Sequence, residues 1–274
     1  MILGWLCIST MYLISKLITD HTTVPTMLFF RCIVALACVL PWILARGIKS
    51  LKITNPNIVI FRAVLATLNL CFVFLAINQI SLINATLLSN SAPFFLPFIV
   101  WIWRGIPIDH KHWPAIIVGF IGMALILNPD KRILNLGAFY GLLSGITMAM
   151  SLLLMRLASK SENFISFMLY FCGIGGLLTL PFAIFNWKID DWQTLLGLIA
   201  IGIFTTLGQM ATFHAVKYAE ARQLSPFMYS SVIFSGIYEW LIWNQSPHLL
   251  GYLGIILIFA GGAWIVYVSR VPKR

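Results

Sequence analysis

The chain has 274 residues, of which 60% are hydrophobic and 9% charged, and its formal net charge is +10. Soluble domains are about 45–50% apolar and 25% charged, so this chain lacks the polar surface that a water-soluble globule needs. The composition therefore excludes secreted, disordered and nucleic-acid-binding proteins and indicates an integral membrane protein in a lipid bilayer.

Apolar runs that could each cross a bilayer follow one another along the chain. A spanning helix needs about 20 apolar residues, so ten spans fit this length only if the loops are short. Open sheet edges are not tolerated in lipid, so the runs are predicted to be helices and the fold all-α. The ten predicted spans are 2–19, 26–45, 57–77, 82–103, 113–128, 137–157, 164–185, 194–215, 223–243 and 249–268.

The basic residues are divided unevenly between the two sides of these spans. With the N-terminus placed in the cytoplasm, 12 of the 18 Lys and Arg residues fall in inner loops and the C-terminal tail, and 3 fall in outer loops. Positive charge accumulates in the cytoplasmic loops of membrane proteins. We therefore predict a multi-pass protein with both termini in the cytoplasm, and the +10 charge needs no nucleic-acid partner.

The two halves of the chain match each other at an offset of 139 residues. Five spans per half is an odd number, so two such halves insert with opposite orientations, an arrangement that recurs in transporters with the substrate site at the repeat interface. We predict inverted five-helix repeats, residues 1–132 and 133–274, around a central cavity, although shared hydrophobic composition alone is the alternative explanation. The identities at this offset include Thr67 with Thr206, Trp101 with Trp240, and Gly122 with Gly261.

Short motifs follow one another along both halves of the chain, beginning with Pro25 and continuing through Phe74-Leu75-Ala76 and Gly119-Phe120-Ile121-Gly122. Together they resemble the EamA-like branch of the drug/metabolite transporter superfamily. Their order, together with Lys16 and Arg31, looks most like proteobacterial permeases that include S-adenosylmethionine uptake proteins. The resemblance implies a ten-helix inverted-repeat permease of the bacterial inner membrane that works by alternating access. The motifs include Phe29-Phe30-Arg31, Asn84-Ala85-Thr86-Leu87-Leu88, Pro93-Phe94-Phe95, Leu207-Gly208-Gln209 and Pro226-Phe227-Met228-Tyr229.

Ionisable side chains within the spans are the first candidates for function, because they are costly in a membrane and usually face a cavity or a partner. Glu239 is the one acidic residue well inside a predicted span, and Lys16 and Arg31 lie near the same outer side. We predict gating or charge pairing among these three, with Glu239 also a candidate for binding substrate. A structural ion pair is the alternative for Glu239, and snorkelling towards the outer head groups is the alternative for Lys16 and Arg31. Anchoring at the membrane interface is favoured for Arg62.

Neutral polar residues are the second group of candidates. Helical spacing places Asn90 and Trp101 on one face of span four, and the 139-residue offset pairs Asn90 with Tyr229. Asn69 and Gln209 hold near-equivalent places in spans three and eight. We predict that these five residues bind substrate, although polar contacts between helices and core packing are the alternatives.

The motifs of other functional classes are missing from the sequence. It has no phosphate-binding loop and no H-E-x-x-H metal pair, so we expect neither an enzyme nor a bound cofactor or metal. The favoured function is a secondary transporter for a small polar or zwitterionic metabolite, such as an amino acid or an S-adenosylmethionine-like compound, with a proton or other ion as a possible coupling partner. The alternative is a lipid scramblase or another lipid-handling membrane protein.

Overall fold

A computed structural model describes residues 1–46, 53–105, 107–108, 110–127, 136–218, 227–244 and 249–270. Pro226 and the predicted boundary between residues 132 and 133 lie outside the described residues. Within them the chain is helical, with no strand longer than the isolated bridge between Thr22 and Ile189. The helices are α1 (Ile2–Leu17), α2 (Val24–Arg46), α3 (Pro56–Ile77), α4 (Leu82–Ser89), α5 (Ala92–Arg104), α6 (Trp113–Leu127), α7 (Leu136–Ser161), α8 (Phe164–Phe185), α9 (Trp192–Tyr218), α10 (Ser230–Trp243) and α11 (Leu249–Arg270).

These helices confirm the prediction of an all-α membrane protein. Within the described residues the predicted spans are largely helical, with one break in the fourth span and one in the ninth, and six stretches there are long and apolar enough to cross a membrane. Two more stretches, Ile2–Leu17 and Gly251–Ile265, are apolar but shorter. The six long stretches are Val24–Leu44, Pro56–Ile77, Leu82–Trp103, Leu136–Ser159, Phe164–Phe185 and Trp192–Tyr218.

The fourth predicted span is not one helix, because α4 ends at Ser89 and α5 begins at Ala92. The Asn90 side chain donates from Nδ2 to the carbonyl of Thr86 at 2.8 Å, which is a bond inside the first helix. Pro93 has no N–H to continue the helical ladder and stands in the first turn of α5. The break changes the rotation between the two segments, so a helical face cannot be extrapolated from Asn90 to Trp101.

Helices that are distant in sequence form the main contacts of the bundle. α3 packs along α7, and α1 packs along α9; α2 packs along α8, and α6 along α11. Each of these pairs joins a helix from before residue 132 to one from after it. The interior of the bundle is therefore formed largely between the two halves of the chain.

Glycines allow α6 and α11 to approach backbone to backbone. A Cβ at Gly122 would lie 2.8 Å from the carbonyl oxygen of Gly254, and one at Gly261 would lie 2.9 Å from that of Ala115. Real Cβ atoms essentially never come this close to another atom, and a backbone carbonyl cannot swing away as a side chain can. Small residues at a close crossing are the usual way in which membrane helices gain packing contact.

We expect Gly122→Ala to lower the free energy of unfolding by about 1–3 kcal/mol, because the added methyl group overpacks the α6–α11 crossing. Gly173→Ala is the matched control, since a Cβ at Gly173 meets nothing within 4 Å. Thermal unfolding of both variants in lipid nanodiscs measures the difference. Equal melting temperatures for the two variants would contradict a close crossing at Gly122.

Candidate functional site

A small polar cavity lies in the middle of the bundle, between α1, α3, α7 and α9. Its volume is about 50 Å³, which is room for a few water molecules. A metabolite needs a larger site, so the cavity has to widen before it can hold one. The side chains with polar atoms that line it are Trp5, Tyr12, Arg62, Asn69, Ser151, Thr205, Gln209 and Thr212.

Arg62 supplies the positive charge of this cavity. Its side chain extends from α3 and is only 3% exposed. Nη2 donates to Oε1 of Gln209 at 3.1 Å and to Sδ of Met155 at 3.4 Å. The guanidinium carbon lies 4.4 Å from the centroid of the Phe167 ring and 4.7 Å from that of Phe171, which are cation–π distances. Arg62 is therefore a cavity residue, and its predicted anchoring at the membrane interface is wrong.

Asn69 and Gln209 line the same cavity from opposite halves of the chain. Asn69 donates from Nδ2 to the carbonyl oxygen of Ser144 on α7 at 2.7 Å. Gln209 on α9 accepts the hydrogen bond of Arg62 described above. Both side chains therefore also join neighbouring helices, so each position combines a cavity wall with an inter-helix polar contact.

Arg31 is fully buried, but it faces α8 instead of the predicted partners on α1 and α10. Its guanidinium carbon lies 5.3 Å from the centroid of the Phe171 ring, and Nη2 lies 3.4 Å from the sulfur of Cys32. The ring of Phe171 is thus in contact with two guanidinium groups, those of Arg31 and Arg62. The predicted grouping of Arg31 with Lys16 and Glu239 is wrong, because α2 presents this side chain to α8.

Glu239 and Lys16 are brought together by the fold. Lys16 Nζ lies 3.4 Å from Oε1 of Glu239. The Glu239 residue is buried, with 2% of its surface exposed. The same carboxylate accepts backbone N–H bonds from Leu82 at 3.2 Å and Ile83 at 2.9 Å, in the first turn of α4. A carboxylate is favourable there because the first N–H groups of a helix have no partner within it. We call this arrangement the Glu239 clamp; it joins α1, α4 and α10 and does not line the cavity.

A second carboxylate, Glu162, holds the N-terminal end of α3. Its two oxygens accept N–H bonds from Thr54 at 3.0 and 3.2 Å and from Asn55 at 3.0 Å, just before α3 begins. We call this the Glu162 clamp. α4 follows the C-terminal end of α3, so the two clamps lie at opposite ends of that helix. Glu162 is not among the residues predicted from the sequence, because it lies in a polar connection between two helices, where a carboxylate is ordinary.

Asn90, Tyr229 and Trp101 do not line the cavity. Asn90 is buried and donates to Oγ of Ser231 at 2.8 Å, so it joins α4 to α10. Tyr229 is buried against Phe259 of α11, with ring centroids 4.9 Å apart. Trp101 is 51% exposed on the outside of the bundle. The helix break at Asn90 explains why these residues do not share one cavity-facing surface.

Two aromatic residues of α1, Trp5 and Tyr12, are buried and line the cavity. The sequence places both at depth in the first span, but it does not show towards which helices they point. Within the described residues, no group of three His, Cys, Asp or Glu side chains could hold a metal ion. The chemistry of the cavity is therefore that of hydrogen-bond donors, one cation, aromatic rings and thioethers.

A bundle of apolar helices around a buried polar cavity is the architecture of a membrane transport protein. The model of the EamA-like transporter family matches residues 1–128 and matches again at residues 135–267. The chain belongs to the EamA-like transporter family, and it is a permease. The family consists of transporters and not of enzymes, which confirms at that level the prediction of a non-enzyme.

Individual relatives cover most of the chain at low identity. It is 24% identical over 242 residues to the S-adenosylmethionine uptake transporter of Rickettsia bellii, with 88% of this chain and 83% of that protein covered. It is 26% identical over 254 residues to the pseudopaline exporter CntI of Pseudomonas aeruginosa, with 90% and 86% covered. A solved crystal structure that is 17% identical shares the fold with a TM-score of 0.65, over 98% of this chain and 97% of that one.

Proposed function

We propose that this permease is a secondary transporter that moves a small polar or zwitterionic metabolite, such as an amino acid or an S-adenosylmethionine-like compound, by alternating access. The observation that carries the proposal is the buried polar cavity, to which α1 and α3 contribute from one half of the chain and α7 and α9 from the other. In inverted-repeat transporters the substrate site lies at the interface between the repeats. The names of the two relatives, one for uptake and one for export, agree with a small-metabolite substrate.

We further propose that residues 1–132 and 133–274 are the two inverted repeats, and three pairs of features 139 residues apart support this. The first pair is the breaks in helix at Asn90 and Tyr229. The second is the left-handed residues that follow α5 and α10, Gly105 with φ of 65° and Asn244 with φ of 49°. The two separate matches to the family model, to residues 1–128 and 135–267, support the same division.

The third pair is the α6–α11 crossing. Gly122 faces the carbonyl of Gly254, while Gly261 faces the carbonyl of Ala115, and each residue of one contact lies 139 positions from a residue of the other. A contact that maps onto itself when its two partners are exchanged is the property of a two-fold interface. The α1–α9 and α3–α7 packings are related by the same exchange.

The proposed orientation places both termini in the cytoplasm and the protein in the bacterial inner membrane, supported by the excess of Lys and Arg in the loops on that side. In this orientation the Glu239 clamp lies towards the outer side and the Glu162 clamp towards the inner side. The narrow cavity between them has to open to one side at a time.

The lipid-scramblase alternative has little support from the surface of the bundle. A groove of about 510 Å³ lies between α3, α5 and α7, on the outside of the cavity. Its lining residues are apolar, among them Phe61, Ile102 and Met150. A path for lipid head groups needs polar side chains, because an unsatisfied polar group is costly in hydrocarbon. The groove is suited to acyl chains alone.

Uptake into proteoliposomes tests the transporter function. We expect the purified protein to accumulate labelled methionine or S-adenosylmethionine above the level of protein-free vesicles. Asn69→Ala and Gln209→Ala should each slow initial uptake about two- to tenfold, because each removes a cavity hydrogen bond. Trp101→Phe is the control and should transport normally, since Trp101 lies outside the cavity. If a fluorescent lipid is scrambled while neither compound enters, the proposal is wrong.

A further inference from the structure

Among the residues that the structure describes, no carboxylate pairs with the charge of the central cavity. Arg62 is buried in its wall, and neither Arg62 nor the neighbouring Arg31 lies within 4.0 Å of a carboxylate in the described part of the chain; the ion pairs found there involve Lys16, His21 and Lys188. Glu239, the acidic group of the spans, is held by the Glu239 clamp and does not line the cavity. A buried cation without an anionic partner is costly, so its persistence needs an explanation.

Side-chain nitrogen atoms without a hydrogen-bond partner in the cavity wall lead to the same question. Nε and Nη1 of Arg62 are buried and have no partner, and the same is true of Nε1 of Trp5. All three atoms are donors, because neither guanidinium nor indole nitrogen accepts a hydrogen bond. Such groups are almost always paired in native structures, by protein, water or ligand. The wall of the cavity therefore holds one charge and three buried donors without a partner, which an acceptor that carries negative charge would satisfy.

We infer that the cavity binds its substrate through an anionic oxygen group, specifically a carboxylate, with Arg62 as the charge partner and the Trp5 indole N–H as a neutral donor. This inference rests on the proposed transport function and names the chemical class of its substrate. Arginine is suited to this task because its donors are fixed in a plane that matches a carboxylate. The contact of Nη2 with Gln209 and the two phenylalanine rings hold the guanidinium in place before the substrate arrives.

The charge of Arg62 also limits the net charge of the substrate. A carboxylate bound at Arg62 restores electroneutrality to the cavity, whereas a substrate with only positive charge would add to an existing excess. A zwitterion can place its carboxylate at Arg62 and its amine or sulfonium away from Arg62. The positive group would then lie against the aromatic and thioether side chains of Tyr12 and Met148.

Paired compounds that differ in one carboxylate test the inference. The probes are methionine against methioninamide, and S-adenosylmethionine against its decarboxylated form, as competitors of labelled uptake in proteoliposomes. We expect the carboxylated member of each pair to compete about tenfold to a hundredfold better, which is the range of a charge-assisted hydrogen bond. Arg62→Gln should abolish this preference, and Arg62→Lys should retain part of it because the charge remains.

Trp5→Phe provides the second variant, since it removes the N–H and keeps an aromatic ring. It should weaken competition by the carboxylated compounds several-fold and leave the decarboxylated compounds unchanged, while Trp101→Phe should affect neither. Uptake without a carboxylate preference, or a preference that survives in Arg62→Gln, overturns the inference and leaves the transport function intact. If neither labelled compound enters the vesicles, the proposed function fails and the inference fails with it.

Discussion

Replacement of Glu239 with leucine is expected to lower the free energy of unfolding by about 3–5 kcal/mol, the usual effect of removing one member of a buried charge pair. The substitution removes the partner of Lys16 and leaves the N–H groups of Leu82 and Ile83 without an acceptor. Leu82 and Ile83 are buried, so water does not readily replace the carboxylate at their N–H groups, whereas the Lys16 side chain is 19% exposed. This is the largest effect that we expect from a single substitution outside the cavity.

Graded variants separate the charge from the hydrogen bonds. Glu239→Gln keeps one acceptor oxygen for α4 and should cost less than Glu239→Leu. Lys16→Met should also cost less than Glu239→Leu, because the carboxylate retains both backbone bonds. Asp191→Asn is the control, since that carboxylate is 60% exposed. Thermal unfolding in nanodiscs measures all four. A Glu239→Leu protein that melts with the wild type would mean that the clamp contributes nothing to stability.

Glu162→Ala is expected to loosen the opposite end of α3, at a cost of about 1–3 kcal/mol for the backbone donors that lose their acceptor. The residues concerned, Thr54 and Asn55, lie just before the first turn of α3, and the carboxylate that holds them is itself buried. Amide hydrogen exchange measures the effect locally, because an unprotected helix end opens without unfolding of the whole protein.

The two clamps act at different places, and this makes the exchange experiment specific. Glu162→Ala should speed exchange over residues 53–60 and leave residues 82–85 unchanged, and Glu239→Gln should produce the reverse pattern. Glu162→Gln should fall between wild type and Glu162→Ala, because one acceptor oxygen remains. Faster exchange at both ends in either variant would show that the clamps are coupled through the bundle and do not act separately.

The sequence predicted the helices well because hydropathy alone determines them. An apolar run of about 20 residues has few alternatives to a helix in a membrane, so the predicted runs are largely helical in the described residues, apart from the breaks at Asn90 and Tyr229. The contact of Lys16 with Glu239 was also within reach, because two opposite charges at the same depth gain much by pairing. The depth of a residue in the bilayer is therefore the property that the sequence of a membrane protein predicts most directly.

The rotation of each helix about its own axis could not be predicted from the sequence. Arg31 and Glu239 lie at similar predicted depths, yet Arg31 faces α8 because of how α2 packs. Arg62 looked like an interface anchor from its position near a span end, and only the rings of Phe167 and Phe171 on another helix show why it stays buried. Rotation depends on partners that are distant in sequence, so the cavity lining could be predicted only in part.

The crossing of α6 and α11 has one further consequence for the proposed transport cycle. If the two conformations differ by an exchange of roles between the halves, the α1–α9 packing takes in one conformation the geometry that the α3–α7 packing has in the other. These two packings therefore change during the cycle. The crossing at Gly122 and Gly261 maps onto itself in that exchange, so it can keep one geometry throughout. The α6–α11 pair would then be a rigid element about which other helices rotate, and its close backbone packing would prevent the two helices from sliding along each other.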